Sequence, residues 1–208
     1  MTGDTVTGGA VTGDGRERRA VDDLWTGARV RLRAVEPEDW TGFRELARHS
    51  VDVRAAGAVS PPRSDAGWRT WTAERAERPP GGDTFRLVVE VLADGAFAGS
   101  VTVGLADSRA GRFLTGVEIV RAHRRRGYAA EATELVLAYM FAEQRHHKCA
   151  VEVYAFNDAS LALYRSLGFV EEGRLREHEF LAGRRHDVVL LGITADEFWA
   201  TRERPPVR

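Results

Sequence analysis

The sequence predicts a mixed α/β (α+β) domain, a sheet flanked by helices, and three observations predict it. Phe85, Leu87, Val89 and Val91 alternate with other residues as on a half-buried strand. Ala132, Leu135, Val136, Tyr139 and Met140 recur instead at the spacing of a helix face. Segments of the two kinds interleave along a chain of 208 residues with 43% hydrophobic content, which suits one domain with a substantial core. That domain is expected over 24–200, after a Thr- and Gly-rich tail at 1–23 that reads as disordered and before a loose end at 201–208 marked by Pro205 and Pro206.

A first strand is expected over 29–35, where Val30, Leu32 and Ala34 alternate with arginines. Pro37 suits the first turn of a helix, because the N–H that it lacks has no helical partner there; Trp40, Phe43, Leu46 and Ala47 form the apolar stripe. A segment rich in Gly, Ala and Pro leads to Ser64 and Asp65, capping residues for a helix whose Trp68 and Trp71 read as core. After a break at 79–83, strands are expected over 84–92, 97–104 and 112–120, joined by an Asp94-Gly95 turn and a second turn at 106–111 into an antiparallel meander. A helix then runs from near Gly127 to about 145, with Glu131 and Glu134 at its start and Arg145, His146 and His147 at its end to suit the dipole. A strand follows at 148–155, then a short helix capped by Asn157 or Asp158 and ended by Gly168-Phe169. Strands at 170–180 and 185–193 form a hairpin around Ala182-Gly183, and Thr194 with Glu197 makes a capping box for a final helix.

Composition excludes several classes. Lys and Arg number 30 against 31 Asp and Glu, a formal net charge of −1, and the arginines are spread among carboxylates, so no nucleic-acid partner is expected. No apolar run approaches the roughly 20 residues that cross a bilayer, so no membrane partner is expected. Residues 1–20 lack the apolar middle of a secretory signal, and a cytoplasmic location is expected. The single Cys149 reads as a buried strand thiol; with His146 and His147 it makes no metal site, because adjacent histidines diverge and no fourth ligand stands at a recognisable spacing. No metal is expected.

The stretch 121–133, R-A-H-R-R-R-G-Y-A-A-E-A-T, is the one that ordinary packing explains least. A strand passes here into a helix that starts without Ser, Thr, Asp or Asn at its entrance, so the first backbone N–H groups stay available for an anion. Gly127 permits close backbone approach, Ala129 adds little bulk beside Tyr128, and the helix dipole with Arg124, Arg125 and Arg126 favours phosphate oxygens. A solvated basic turn would carry the same arginines, and a P-loop is excluded because Gly-Lys-Ser/Thr is missing.

A second stretch, N-D-A-S-L-A-L-Y-R-S-L-G-F from Asn157 to Phe169, follows another strand-like run. Together the two resemble the acyl-CoA signature of the GCN5-related N-acetyltransferases (GNAT): Arg124, Gly127 and Ala129 fill the first motif, and Asn157, Tyr164, Gly168 and Phe169 fill the second. The resemblance spans roughly 28–193, and its last part is similar to the subgroup of ribosomal-protein and spermidine acetyltransferases.

That resemblance implies a mixed, mostly antiparallel splayed sheet flanked by helices, with the strands ending near Val120 and Ala155 parting to admit the pantetheine arm of acetyl-CoA as co-substrate. It implies that the turn from Arg124 to Ala129 holds the pyrophosphate, that backbone of Ile119, Val120 and Arg121 and the side chain of Asn157 hold the pantetheine arm, and that Tyr164 is the general acid. It also puts the first helices, with their tryptophans, beside the acceptor cleft and implies a homodimer through 170–193. Glu118, one residue before the pantetheine strand, is the candidate base; a strand glutamate facing solvent or an arginine is the plain alternative. The expected acceptor is a small cationic primary amine, drawn by Glu118, Glu152, Glu177 and Glu179 unless Arg174, Arg176, Arg184 and Arg185 neutralise them. A protein N-terminal acetyltransferase and a non-catalytic acyl-CoA sensor are the other readings.

Overall fold

The computed structural model describes residues 23–78 and 84–204; the expected tail at 1–22, the break at 79–83 and the last residues, 205–208, lie outside them. Seven strands form one sheet: β1 (Val30–Arg33), β2 (Phe85–Val91), β3 (Phe97–Asp107), β4 (Arg112–Ile119), β5 (Lys148–Tyr154), β6 (Val170–Leu181) and β7 (Arg184–Thr194). Their order is β1-β2-β3-β4-β5-β7-β6, antiparallel throughout except between β4 and β5. The helices are α1 (Trp40–Leu46), α2 (Ser50–Ala56), α3 (Asp65–Ala76), α4 (Tyr128–Ala142), α5 (Asp158–Ser166) and α6 (Ala195–Ala200).

Local chemistry accounts for most of these boundaries. Ser64 accepts from Gly67 N–H at the start of α3, Asn157 accepts from Ser160 N–H at the start of α5, and Thr194 with Glu197 closes a capping box on α6. Ala182 and Gly183 take φ of 52° and 81°, the pair of left-handed residues that a two-residue hairpin turn requires. The main core lies between the sheet and α4, where Val101, Phe113, Val136, Leu137, Met140, Cys149 and Leu191 are fully buried. Each such large apolar side chain contributes about 1.5–3 kcal/mol. A smaller cluster joins Val35, Phe43 and Val88 to Trp68, Trp71 and Phe97, so both tryptophans pack against core as expected.

Four expectations change. The first strand ends at Arg33, so Ala34 is exposed and Val35 is buried in its place. The helix begun at Pro37 is first a 3-10 turn, Pro37–Asp39, and Ala47 falls outside α1 on the surface. Within the segment read as a loop lies α2, which buries none of its residues and therefore carries no apolar stripe to read. Finally, α4 ends at Ala142; Arg145 takes φ 59° in the loop beyond, where His146 turns inward against Phe113, so these residues do not complement the helix end.

The feature that matters for function is where neighbouring strands cease to be neighbours. β4 and β5 pair only at Arg112↔Lys148, Phe113↔Cys149 and Leu114↔Ala150. Beyond this, β4 stays with β3 as far as Ile119↔Gly99, while β5 stays with β7 as far as Tyr154↔Val188. The sheet is thereby split into two arms that separate toward the C-terminal ends of β4 and β5.

Candidate active site

A cleft of about 760 Å³ occupies the split, within the range of small-molecule sites. Its walls come from β4 (Thr115 to Ile119), from β5 (Glu152, Val153, Tyr154), from the turn and first residues of α4, from α5 and from α2. On β4, hydrogen-bonded and non-bonded pairs alternate along an antiparallel ladder. Val120 N–H donates to Ala98 O at 2.9 Å, so Ile119 and Val117, one and three residues before it, turn their backbone groups to the other side, toward the cleft.

The turn into α4 is shaped by two left-handed residues, Arg125 with φ 61° and Gly127 with φ 82°. Gly127 is the N-cap and has no side chain to accept from the first turn, leaving the N–H groups at the start of α4 without a side-chain acceptor. A Cβ at Gly127 would stand 2.7 Å from Arg29 Nη1, so even one methyl group displaces that guanidinium. Arg29 itself donates to the Arg126 carbonyl at 3.2 Å and to Glu131 at 3.2 Å, and Glu131 also accepts from the backbone N–H groups of Ala28 and Arg29. The segment before β1 thus braces the turn from outside.

Tyr164 reaches the cleft from α5 and is 3% exposed, with its ring edge-on to Phe169 at 5.1 Å. Burial, and then the neighbouring Cys149, pushes its hydroxyl above the ordinary 10.0, so it holds its proton at neutral pH. Asn157 both caps α5 and donates through Nδ2 to Ala55 O of α2 at 2.9 Å.

These features coincide with a family match. The model of the acetyltransferase (GNAT) domain matches residues 29–170. The chain belongs to the GNAT family and is an N-acetyltransferase. It is 33% identical over 174 residues, 84% of its length and 94% of the relative's, to the SPbeta prophage-derived uncharacterized N-acetyltransferase YokL of Bacillus subtilis. It is 24% identical over 139 residues, 59% of its length and 76% of the relative's, to the putative ribosomal N-acetyltransferase YdaF of the same organism. Among solved structures it resembles in fold a spermidine N-acetyltransferase from Vibrio cholerae in complex with CoA and spermine, with TM-score 0.72 and 24% identity over 83% of this chain and 99% of that one.

Of the site residues expected from the sequence, the cleft brings together Glu118, Ile119, Arg124, Arg125, Gly127, Tyr128, Ala129, Asn157 and Tyr164. Val120, Arg121 and Arg126 lie outside its lining. Val120 is buried with both backbone groups engaged, its N–H by Ala98 and its carbonyl by His123 N–H, while the Ile119 carbonyl accepts from Arg124 Nε at 2.9 Å. Arg121 and Arg124 both pair with Asp52 of α2, at 2.6 and 2.9 Å, a partner that the sequence gives no reason to choose.

The acidic side of this GNAT cleft holds Glu118, Glu152 and Glu179 with Tyr154; Glu177 is instead displaced by a bulge in β6, where its N–H donates to Asp187. Arg174 pairs with Asp187 at 3.3 Å, and among the described residues neither Glu152 nor Glu179 forms an ion pair. Burial, and after it the negative charges of Glu179 and Glu152, pushes the Tyr154 hydroxyl above its ordinary value. Glu118 faces Arg86 at 3.8 Å. Among the described residues no helix is long and apolar enough to cross a membrane, and no group of His, Cys, Asp and Glu converges as a metal site.

Proposed function

We propose that the enzyme transfers an acetyl group from acetyl-CoA to the primary amine of a small cationic acceptor. The observation that carries this reading is the convergence of the acidic residues Glu118, Glu152 and Glu179 with Tyr164 in one cleft beside an uncapped helix start. The chain's groups fit the donor. The N–H groups of the first turn of α4 and the arginines of the basic turn suit the pyrophosphate, and the β4 edge freed beyond Leu114 suits the amide-bearing pantetheine arm. Acetyl-CoA supplies a thioester, whose acyl carbon gains a bond to nitrogen as the bond to sulfur breaks.

The residues of the chain manage the protons and the charge. An alkylamine is almost wholly protonated at neutral pH, so it must lose a proton before it attacks. Glu118 takes that proton, directly or through water, while Glu152 and Glu179 hold the remaining positive charge of the acceptor. The Ile119 N–H, turned toward the cleft, donates to the carbonyl oxygen, where negative charge develops. Tyr164 gives its proton to the departing sulfur, yielding the free thiol. Two relatives support the choice of acceptor class: the Vibrio cholerae enzyme crystallised with CoA and spermine, and a spermidine N(1)-acetyltransferase of the same organism that is 34% identical over 76 residues, 36% of this chain and 44% of that one. A homodimer through β6 belongs to the same proposal, since β6 is an edge strand with Val170 and Phe180 exposed.

The deciding experiment incubates the enzyme with acetyl-CoA and separate panels of polyamines, amino sugars, amino acids and peptides, reading intact mass and free thiol. Acetylated small cationic amines are expected. Acetylation of peptide N-termini alone overturns the acceptor, and thiol release with none of the panels overturns the transfer.

A further inference from the structure

α2 stands across the opening of the split sheet and is bonded to both of its sides. On the β4 side, Asp52 accepts from Arg121 Nε at 2.6 Å and Nη2 at 3.3 Å, and from Arg124 Nη1 at 2.9 Å. On the β5 side, the Ala55 carbonyl accepts from Asn157 Nδ2 at 2.9 Å. Asp52, Ala55 and Ala56 are themselves part of the cleft wall. The Asp52 side chain is 13% exposed, and its hydrogen bond from Arg121, against the cost of burial and aided by Arg124, holds the carboxyl at about 2. It is therefore charged wherever the enzyme works.

The helix rests on the side chains that the donor site needs. Arg124 already spends Nε on the Ile119 carbonyl and Nη1 on Asp52, and Asn157 spends its amide N–H on α2. A carboxylate and a phosphate oxygen recruit the same guanidinium N–H groups, and a fixed negative charge a few ångströms away opposes a phosphate brought beside it. No apolar face holds α2 down: none of its residues is buried, and Val51 is 69% exposed. Its position depends on these polar contacts.

We propose that Asp52, anchored by Arg121, is a positioning residue that straps α2 across the donor channel and competes with the phosphates of the donor for Arg124. Donor binding draws the Arg124 guanidinium and the Asn157 amide away from α2, so the helix loosens as the donor takes them over. The strap lowers donor affinity. It rests on the donor site proposed above.

Calorimetry with CoA on the wild type, Asp52→Asn and Asp52→Glu tests it, together with hydrogen exchange of the wild type with and without CoA. Asp52→Asn is expected to bind CoA about five- to tenfold more tightly, in the range of ordinary coupling between sites, with the gain shrinking as salt screens the charge. Asp52→Glu, which keeps the carboxylate, stays near the wild type. In the wild type, the amides of α2 exchange faster when CoA is bound. A residue with only a structural role would weaken CoA binding on substitution, and that result, unchanged affinity, or α2 amides protected by CoA overturns the strap. Should Asp52→Asn fail to fold, the exchange measurement on the wild type still decides. A wild type with no affinity for CoA overturns the donor site and the strap together, whereas a wild type that binds and an Asp52→Asn that gains nothing overturns the strap alone.

Discussion

The Arg86 guanidinium lies 3.8 Å from the Glu118 carboxylate and donates to Ser100 Oγ at 3.0 Å, reaching over β3 from β2 to do so. Glu118, 41% exposed, is thus held loosely enough to keep an accessible oxygen while its negative charge is balanced. Glu118→Gln is expected to lower turnover by about 10²–10⁴-fold, the scale of losing a positioned base, and most severely at low pH, where the acceptor is most protonated. A pH–rate profile that superimposes on the wild type would return Glu118 to the role of an arginine partner.

Tyr164→Phe keeps the ring contact with Phe169 and removes only the hydroxyl. CoA affinity should stay within a few-fold, while single-turnover transfer slows by about 10–10³-fold. The same residue bears on stability. Its hydroxyl is raised above 10.0 in the fold, so the neutral form is favoured by folding; that contribution is whole below 10.0 and is lost as pH rises beyond it. Thermal unfolding followed above about pH 10 should fall less steeply for Tyr164→Phe than for the wild type.

Gly127 is where the sequence permits the closest backbone approach to an anion. Its φ of 82° and the Arg29 guanidinium against it show that Gly127→Glu carries a folding cost as well, about 1–2 kcal/mol from the left-handed backbone alone. Ala129→Glu separates the two effects. A carboxylate in the first turn of α4 suits the helix dipole, which offsets part of the cost of placing it at a half-buried position packed against the core, and it repels the pyrophosphate; thermal unfolding checks that the variant is folded. CoA affinity is expected to drop at least about tenfold, the scale of a like-charge contact; calorimetry that finds it unchanged removes the phosphates from this turn.

Glu152→Gln with Glu179→Gln should raise KM for a cationic acceptor several-fold with kcat little changed, and the difference should fade in high salt. An independent readout exists in Tyr154, whose hydroxyl these two glutamates help to raise. Spectrophotometric titration of the double variant should show that phenol ionising at lower pH than in the wild type. No movement of the titration would mean that the two carboxylates are too well hydrated to act on the cleft.

The elements whose identity rests on a few consecutive residues were legible. The meander from β2 to β4, the caps at Ser64, Asn157 and Thr194, and the hairpin turn at Ala182-Gly183 depend on contacts within a turn of chain. α2 was not legible, because periodicity reports burial and this helix buries nothing. The end of α4 was misplaced for a related reason: Arg145 and His146 suit a helix end by charge, whereas the chain leaves the helix earlier to seat His146 beside Phe113.

By itself, then, the sequence determined the mixed architecture, the family, the uncapped turn at Gly127 and the pairing of Asn157 with Tyr164 on one short helix, all of which follow from residue type at short spacing. Only the tertiary structure decided that the arms part beyond Leu114 and Ala150, that Glu118 has Arg86 for a neighbour, and that Glu152 and Glu179 line the cleft, without an ion pair among the described residues, while Glu177 is turned away. It alone brought Asp52 to Arg121 and Arg124 across separations of 69 and 72 residues, and Glu131 to Arg29 across 102. A charged side chain on the surface of an element has many partners of opposite sign available along the chain. Which of them it meets is set by how strands pair and helices dock, through backbone register and core packing in which the charge itself takes little part.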